Sequence, residues 1–253
     1  MPHTLAELCI TAAAEAWRHD GEVLATGIGL VPRLAAGLAM LTFNRDLLMT
    51  DGEAFLVSEP VPVGPRQGYE PRIEGWMPYR RVFETLWQGR RHAMVGPTQI
   101  DRTGAANISC IGDHRRPRAQ LLGVRGFPGN TIHHPNSFFV PSHSKRVFVE
   151  KVDMASSVGY DPARFRPGVR RDFVDLRLVV TNLAVLDFQG PDHTLRLASL
   201  HPGVGVDQVQ EHTGFELALR DPLPTTPTPG AEALRLIREV LDPHDLRAGV
   251  FDA

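Results

Sequence analysis

Cysteine is almost missing from this chain of 253 residues: Cys9 and Cys110 stand far apart and outside any ligand-type spacing. That excludes a disulfide framework and a Cys/His metal box. Each thiol reads as a small apolar core residue in a reducing compartment. Histidine is present, but no H-E-x-x-H arrangement occurs, and His133, His134 and His143 lack carboxylates at ligand spacing. No metal site is predicted. No apolar run approaches membrane-spanning length, and the first residues lack the basic start and apolar core of a signal peptide. These absences predict a cytoplasmic protein. An excess of one charge is missing too. The formal net charge is −2, which gives no electrostatic ground for binding nucleic acid or an anionic membrane surface.

What is present belongs to a globular α/β protein. The length suits a single domain over 1–253 with ample core, and a Pro-rich surface segment over 221–230 (DPLPTTPTPG) precedes a last helix from Ala231 to Val240. Thr4 and Glu7 have the spacing of a capping box, and Leu5, Leu8, Cys9, Ala12, Ala13, Ala16 and Trp17 follow helical periodicity. Further strands are predicted over Glu22–Ala25, Asp46–Met49, His92–Ile100, Ala105–Ile111, Lys145–Val152, Leu176–Phe188 and Leu195–Leu200. Helices are predicted over Pro32–Leu41, Pro78–Trp87 and Val206–His212, with Val82, Phe83, Leu86 and Trp87 sharing one face of the second. Asp101-Arg-Thr-Gly104 reads as a hairpin turn. Gly27-Ile-Gly29 opens a strand–turn–helix unit but lacks the full dinucleotide fingerprint, so a nicotinamide site is not expected. Strands alternating with helices predict a sheet covered on both faces, with some antiparallel hairpins.

The most informative stretch is Gly123–Thr131, GVRGFPGNT. Its glycines allow positive φ and close backbone approach, and Pro128 fixes a turn between Gly126 and Gly129. Arg125 lies among Leu121, Leu122, Val124 and Phe127, which predicts a sheltered cation beside free N–H groups. Such a point suits a carboxylate, a phosphate or a developing oxyanion. A structural salt bridge within a glycine-rich crossover explains the same residues.

Several motifs, in order along most of the chain, resemble the β-type subunit of the class I coenzyme A transferase superfamily. They are Gly96-Pro-Thr-Gln99 with Asp101, Gly104 and Asn107, then GVRGFPGNT, then VVTNLAVLDF from Val179 and HPGV from His201. MTDGEA from Met49, RIEGWMPYRRVFETL from Arg72 and NTIHHPNSFFV from Asn130 are similar to the steroid ring-opening CoA hydrolase branch. The resemblance implies an open αβα sandwich with a mainly parallel sheet. It implies a homologous α subunit, pairing into a heterodimer and again into a heterotetramer. It also implies a CoA-thioester substrate, with coenzyme A as part of the substrate and no bound cofactor.

Transferases of this family carry a nucleophilic glutamate in an E-S-G turn. The matching turn here is Thr50-Asp51-Gly52, with Thr50 at the glutamate's position and Glu53 displaced by three residues. In the hydrolase branch the α subunit supplies the catalytic glutamate, and Arg125 matches the arginine that the β subunit contributes. On this reading Arg125 is catalytic. Gly126 and Gly129 offer oxyanion donors, and Asn130, Asn107, Gln99 and Glu74 are polar contacts to substrate. Each of the last four also has a structural reading: hairpin hydrogen bonds for Gln99 and Asn107, a loop cap for Asn130, an ion pair with Arg72 for Glu74. Two other functions stay open: a 3-oxoacid-type CoA transferase using Glu53 or a partner carboxylate, and a non-catalytic scaffold for an active α subunit.

Overall fold

The computed structural model describes residues 2–251 of the chain. These resolve into two compact units. One runs to Val95 and resumes at Pro227; the other is Gly96–Thr226.

In the first unit, helix α1 (Leu5–Ala14) starts at the reciprocal capping box read from the sequence. The Thr4 N–H donates to Glu7 Oε2 at 2.9 Å and the Glu7 N–H donates to Thr4 Oγ1 at 3.2 Å. Strand β1 (Leu24–Gly27) leads through Gly29, at φ 107, into helix α2 (Leu30–Leu41). Strands β2 (Met49–Thr50), β3 (Phe55–Val57) and β4 (Ile73–Trp76) form an antiparallel sheet. Helix α3 (Tyr79–Gln88) then delivers strand β5 (Arg91–Val95), which lies parallel to β1 with Leu24 opposite Arg91. The predicted common face of α3 divides: Leu86 is buried, while Phe83 and Trp87 are exposed. The C-terminal helix, Ala231–Arg235 continued over Leu236–Leu241, packs on α2.

Glu7 ties the two ends of this unit together. Its carboxylate is fully buried and accepts from Arg238 Nε at 2.7 Å and from Arg247 Nε at 3.1 Å. Burial opposes its ionisation, but the arginines and the Thr4 N–H outweigh that and bring its pKa down to about 2.

In the second unit, β6 (Gln99–Ile100) and β7 (Ala106–Asn107) form the expected hairpin. Asp101 Oδ1 accepts from the N–H groups of Thr103 and Ala105, and Gly104 turns at φ 82. A Cβ there would lie 2.5 Å from Leu176 Cδ1 and 2.6 Å from Phe188 Cε1, so glycine is required twice over. A second hairpin, β8 (Cys110–Ile111) with β9 (Ala119–Gln120), precedes helix α4 (Phe127–His133) and strand β10 (Asn136–Val140). Strand β10 lies parallel to β11 (Leu176–Thr181), which pairs antiparallel with β12 (Ala184–Asp187), and β12 with β13 (Arg196–Leu200). Helix α5 (Val206–Glu211) follows, and β14 (Ala218–Leu219) lies parallel to β13. Parallel pairing with one antiparallel meander is the mixed α/β arrangement that the alternating pattern predicted.

Four predicted elements are corrected, one of them Ala105–Ile111, which divides into β7 and β8. The Leu176–Phe188 run is a hairpin rather than one strand, because Thr181 Oγ1 accepts from the N–H groups of Leu183 and Ala184 and closes the turn. Lys145–Val152 is not a strand. The N–H groups of Val147 and Phe148 both fold back on Ser144 O, leaving one bridge between Phe148 and Ile100. The predicted strand His92–Ile100 breaks between β5 and β6, over residues 96–98.

Replacing Glu7 by alanine leaves Arg247 without part of its buried counter-charge, and should lower the unfolding free energy by about 3 kcal/mol, read by urea titration. The folded pKa lies below the ordinary carboxylate value, so this stabilisation is complete above about pH 4.5 and fades as pH falls toward 2. The variant should therefore show a flatter acid-unfolding curve.

Candidate active site

The glycine stretch is less of a loop than the sequence implies. Leu121 N–H and Gly123 N–H hold the strand β9 exit to Ser109 O and Ile108 O at 2.9 and 3.2 Å. Gly123 turns at φ 84, Arg125 follows at φ 49, and Gly126 caps α4. Pro128 then lies in the first turn of α4, where its missing N–H costs nothing, so it shapes a helix start and not a turn. Phe127 is buried edge-on against Phe138, with centroids 6.3 Å apart, and fixes the helix to the sheet.

Arg125 is exposed, not sheltered, and forms no ion pair among the described residues. A left-handed backbone is uncommon for a side chain of this size and costs about 1–2 kcal/mol. The strain places a long cation outward at the entry to α4. The N–H groups of Gly126 and Gly129 make no backbone hydrogen bond among the described residues. A guanidinium and two open amide donors therefore fall within five residues of chain, a set suited to oxygen anions.

Two of the predicted polar contacts are spent inside the fold, and a third is spent in part. Asn107 is fully buried. Its Nδ2 donates to Gln99 Oε1 at 2.8 Å and to Cys110 O at 2.7 Å, and its Oδ1 accepts from the Ser109 and Cys110 N–H groups. Gln99 Oε1 also accepts from Asp153 N, and its Nε2 donates to Asp153 Oδ2 at 3.2 Å. Gln99 braces the β6–β7 hairpin to residue 153 and Asn107 braces it to Cys110, with no capacity left on Asn107 for a substrate. Asn130 is buried on α4, and its Nδ2 donates to Asn136 Oδ1 at 2.5 Å, which locks α4 to β10. Asn107 and Gln99 thus have structural roles, while the Asn130 Oδ1 is buried and has no hydrogen-bond partner among the described residues.

In the first unit, Glu74 is exposed on β4 and the expected pair with Arg72 is not made. Arg72 Nε instead meets Glu59 Oε1 at 3.1 Å. Glu53 is exposed at the β2–β3 turn and pairs with Arg66 at 3.2 Å. The turn is built on Asp51, a residue that its sequence neighbourhood does not single out. Burial opposes its ionisation, but the N–H groups of Glu53, Phe55 and Ala54 all donate to Oδ1, and the balance holds its pKa below the usual carboxylate range. Asp51 is thus fixed by the backbone and unsuited to attack as a mobile nucleophile. Arg33 approaches the same turn, its Nη1 3.5 Å from where a Gly52 Cβ would stand.

A groove of about 1080 Å³ opens on the second unit beside Arg102, Lys151, Tyr160, Arg164 and His193, and none of the predicted site residues lines it. Its central cation is already matched: Arg164 Nη2 donates to Asp101 Oδ2 at 2.7 Å. Among the described residues no group of three or more His, Cys, Asp or Glu is placed to hold a metal ion, and no helix is long and apolar enough to cross a membrane.

Arg125→Gly should leave stability unchanged or raise it by up to about 1 kcal/mol, since glycine removes the left-handed strain at some entropic cost. Arg125→Val, β-branched in the same backbone, should lower it by about 1–2 kcal/mol. Urea titration of the two variants reads the difference.

No protein-family model matches the chain. Curated relatives cover nearly all of it. It is 48% identical over 244 residues to the cholesterol ring-cleaving hydrolase IpdB subunit of Rhodococcus jostii, spanning 96% of this chain and 94% of that one. The subunit of the same name from Mycobacterium tuberculosis is 48% identical over 245 residues, spanning 96% and 97%. One of the subunits of the glutaconate CoA-transferase of Acidaminococcus fermentans is 30% identical over 237 residues, spanning 88% and 87%. The solved structure of Rhodococcus jostii IpdAB matches with a TM-score of 0.91 at 46% identity over 98% of both chains. With its fold matched end to end and its glycine–arginine helix entry in place, the chain belongs to the IpdB family, within the β-type subunits of the class I CoA-transferase superfamily.

Proposed function

We infer that this chain is the β subunit of a two-subunit, CoA-transferase-like hydrolase that opens the cyclic-ketone ring of a cholesterol-derived CoA thioester. The observation that carries this reading over acyl transfer is the β2–β3 turn. Thr50 stands where a transferase needs its carboxylate, Asp51 is consumed by three backbone N–H groups, and Glu53 points outward to Arg66.

The chemistry follows from what the chain holds and lacks. A glutamate of the α subunit acts as general base on water. The water oxygen bonds to the ring ketone carbon, and the proton passes to the glutamate. Negative charge collects on the former ketone oxygen. Arg125 and the N–H groups of Gly126 and Gly129 are the donors for that charge. The bond from this carbon to the carbon beside the thioester then breaks, its electron pair going to the thioester enolate. The glutamic acid returns its proton to that carbon. The product is a ring-opened carboxylic acid still joined to CoA. Arg125 also offers the α-subunit carboxylate a counter-ion before reaction, since it has none among the described residues of its own chain. Coenzyme A enters as part of the substrate, and the mechanism calls for no resident cofactor. A cytoplasmic heterotetramer of α and β subunits completes the proposal.

Incubation of the co-expressed complex with the thioester in heavy-oxygen water should give a ring-opened acid carrying the label with CoA attached, read by mass spectrometry. Transfer of CoA to added acetate or succinate without ring opening would return the enzyme to the transferases. Arg125→Ala should leave the complex assembled, by size-exclusion chromatography, and lower turnover by about 100-fold or more.

A further inference from the structure

Arg91 opens strand β5 and is only 8% exposed. Its Nε donates to Thr26 Oγ1 at 3.0 Å, and its Nη1 reaches Val82 O on α3 at 3.4 Å. No carboxylate lies within ion-pair distance among the described residues. Guanidinium does not lose its proton in proteins, so this is a buried positive charge with two neutral acceptors and no counter-charge. Leaving such a charge unmatched is among the costliest arrangements a fold can hold. Burial alone lowers the Arg91 pKa, to about 10.

The helix that covers Arg91 turns an aromatic stripe outward. Trp76 is 60% exposed, Tyr79 65% and Trp87 71%, with Phe83 at 37% between them. Tyr79, Phe83 and Trp87 recur every four residues and so lie along one face of α3. Tyr79 and Phe83 meet edge-on with centroids 5.3 Å apart, and the Arg81 guanidinium stands 5.7 Å from the Trp76 ring. Exposed rings at this density mark an interaction surface. The fringe is basic. Arg80 and Arg72 are matched by Glu84 and Glu59, while Arg81 and Arg90 have no ion pair among the described residues. The surface therefore calls for a partner that is apolar at its centre and carries carboxylates.

We propose that the α-type subunit seats on the Trp76–Tyr79–Phe83–Trp87 face of β4 and α3, and that one of its carboxylates supplies the counter-charge of Arg91. The proposal rests on the heteromeric reading above and adds to it where the subunits meet and which charge they share. A carboxylate from a docking chain, inserted beside the helix edge, converts the unmatched cation into a buried pair in the complex only. Arg91 is a pairing residue on this account and takes no part in the chemistry.

The test is a titration of the labelled full chain with the α-type subunit. Tyr79→Glu with Phe83→Glu, two surface changes that leave the fold intact, should weaken pairing by at least about 30-fold, as loss of an interface anchor does. Arg91→Met should weaken pairing by a similar factor and yet leave the melting temperature of the free chain unchanged or higher, because methionine fills the space without the stranded charge. Arg91→Lys should fall between. Pairing within about threefold of wild type for both the double variant and Arg91→Met would overturn the proposal, as would a large drop in free-chain melting temperature for Arg91→Met. A raised KM for the thioester with pairing unchanged would assign Arg91 to a ligand instead. Failure of the wild-type chains to pair at all would overturn the heteromeric reading itself, and this one with it.

Discussion

A single buried carboxylate organises the first unit. Glu7 closes the capping box of α1 and, with its other lone pairs, holds Arg238 and Arg247 from the far end of the sequence. A cap on an exposed helix contributes about 1 kcal/mol. Here the same group is inside, so the cap, the helix packing and the docking of the C-terminal segment stand or fall together. Arg247 is bound in turn by Asp242, whose carboxylate also accepts from the N–H groups of Leu246 and Arg247. Both buried carboxylates in this cluster thus have several donors each, which is what makes a buried ionic group tolerable. With the chain ends fixed in this way, β1, β5 and α3 are held as a platform. The charge that platform leaves unmatched, on Arg91, is then conspicuous beside the neutralised ones.

The second unit sets side-chain amides beside its carboxylates. Gln99, Asn107 and Asp153 interlock so that two hairpins and residue 153 share one hydrogen-bond network. Asn130 and Asn136 do the same between α4 and β10. These amides stiffen the ground under Arg125 without touching it. The strained residue can persist at φ 49 because the segments before and after it are pinned, by Gly123 N–H on one side and by the buried Phe127 ring on the other.

What was legible in the sequence was what depends on near neighbours. The Thr4–Glu7 box and the Asp101–Gly104 turn are chemistry over four residues, and both stand as read. Motif order along the chain carried the family. The errors came where local pattern underdetermines tertiary role. An unbroken apolar run from Leu176 to Phe188 cannot announce that a threonine hydroxyl will fold it double. Asn107 and Gln99 sit in a motif and look like ligand groups until Asp153, some fifty residues on, is seen to claim Gln99. On α3 the 3.6-residue period holds but spans a buried and an exposed apolar face, because periodicity does not say which face the core takes. Nothing near Arg91 in the sequence signals that it lacks a counter-charge, since that is a fact about everything packed around it.

The split of the first unit across both ends of the chain has a consequence for biosynthesis. Residues Gly96–Thr226 form a contiguous unit, translated whole before the last segment of the first unit. The first unit cannot close until Arg238 and Arg247 have been translated, because Glu7 waits for both. Until then α1 keeps a cap but no lock, and the aromatic face of α3 stands on an unfinished platform. Translation order thus places the ion pairs that lock α1 after the whole of Gly96–Thr226.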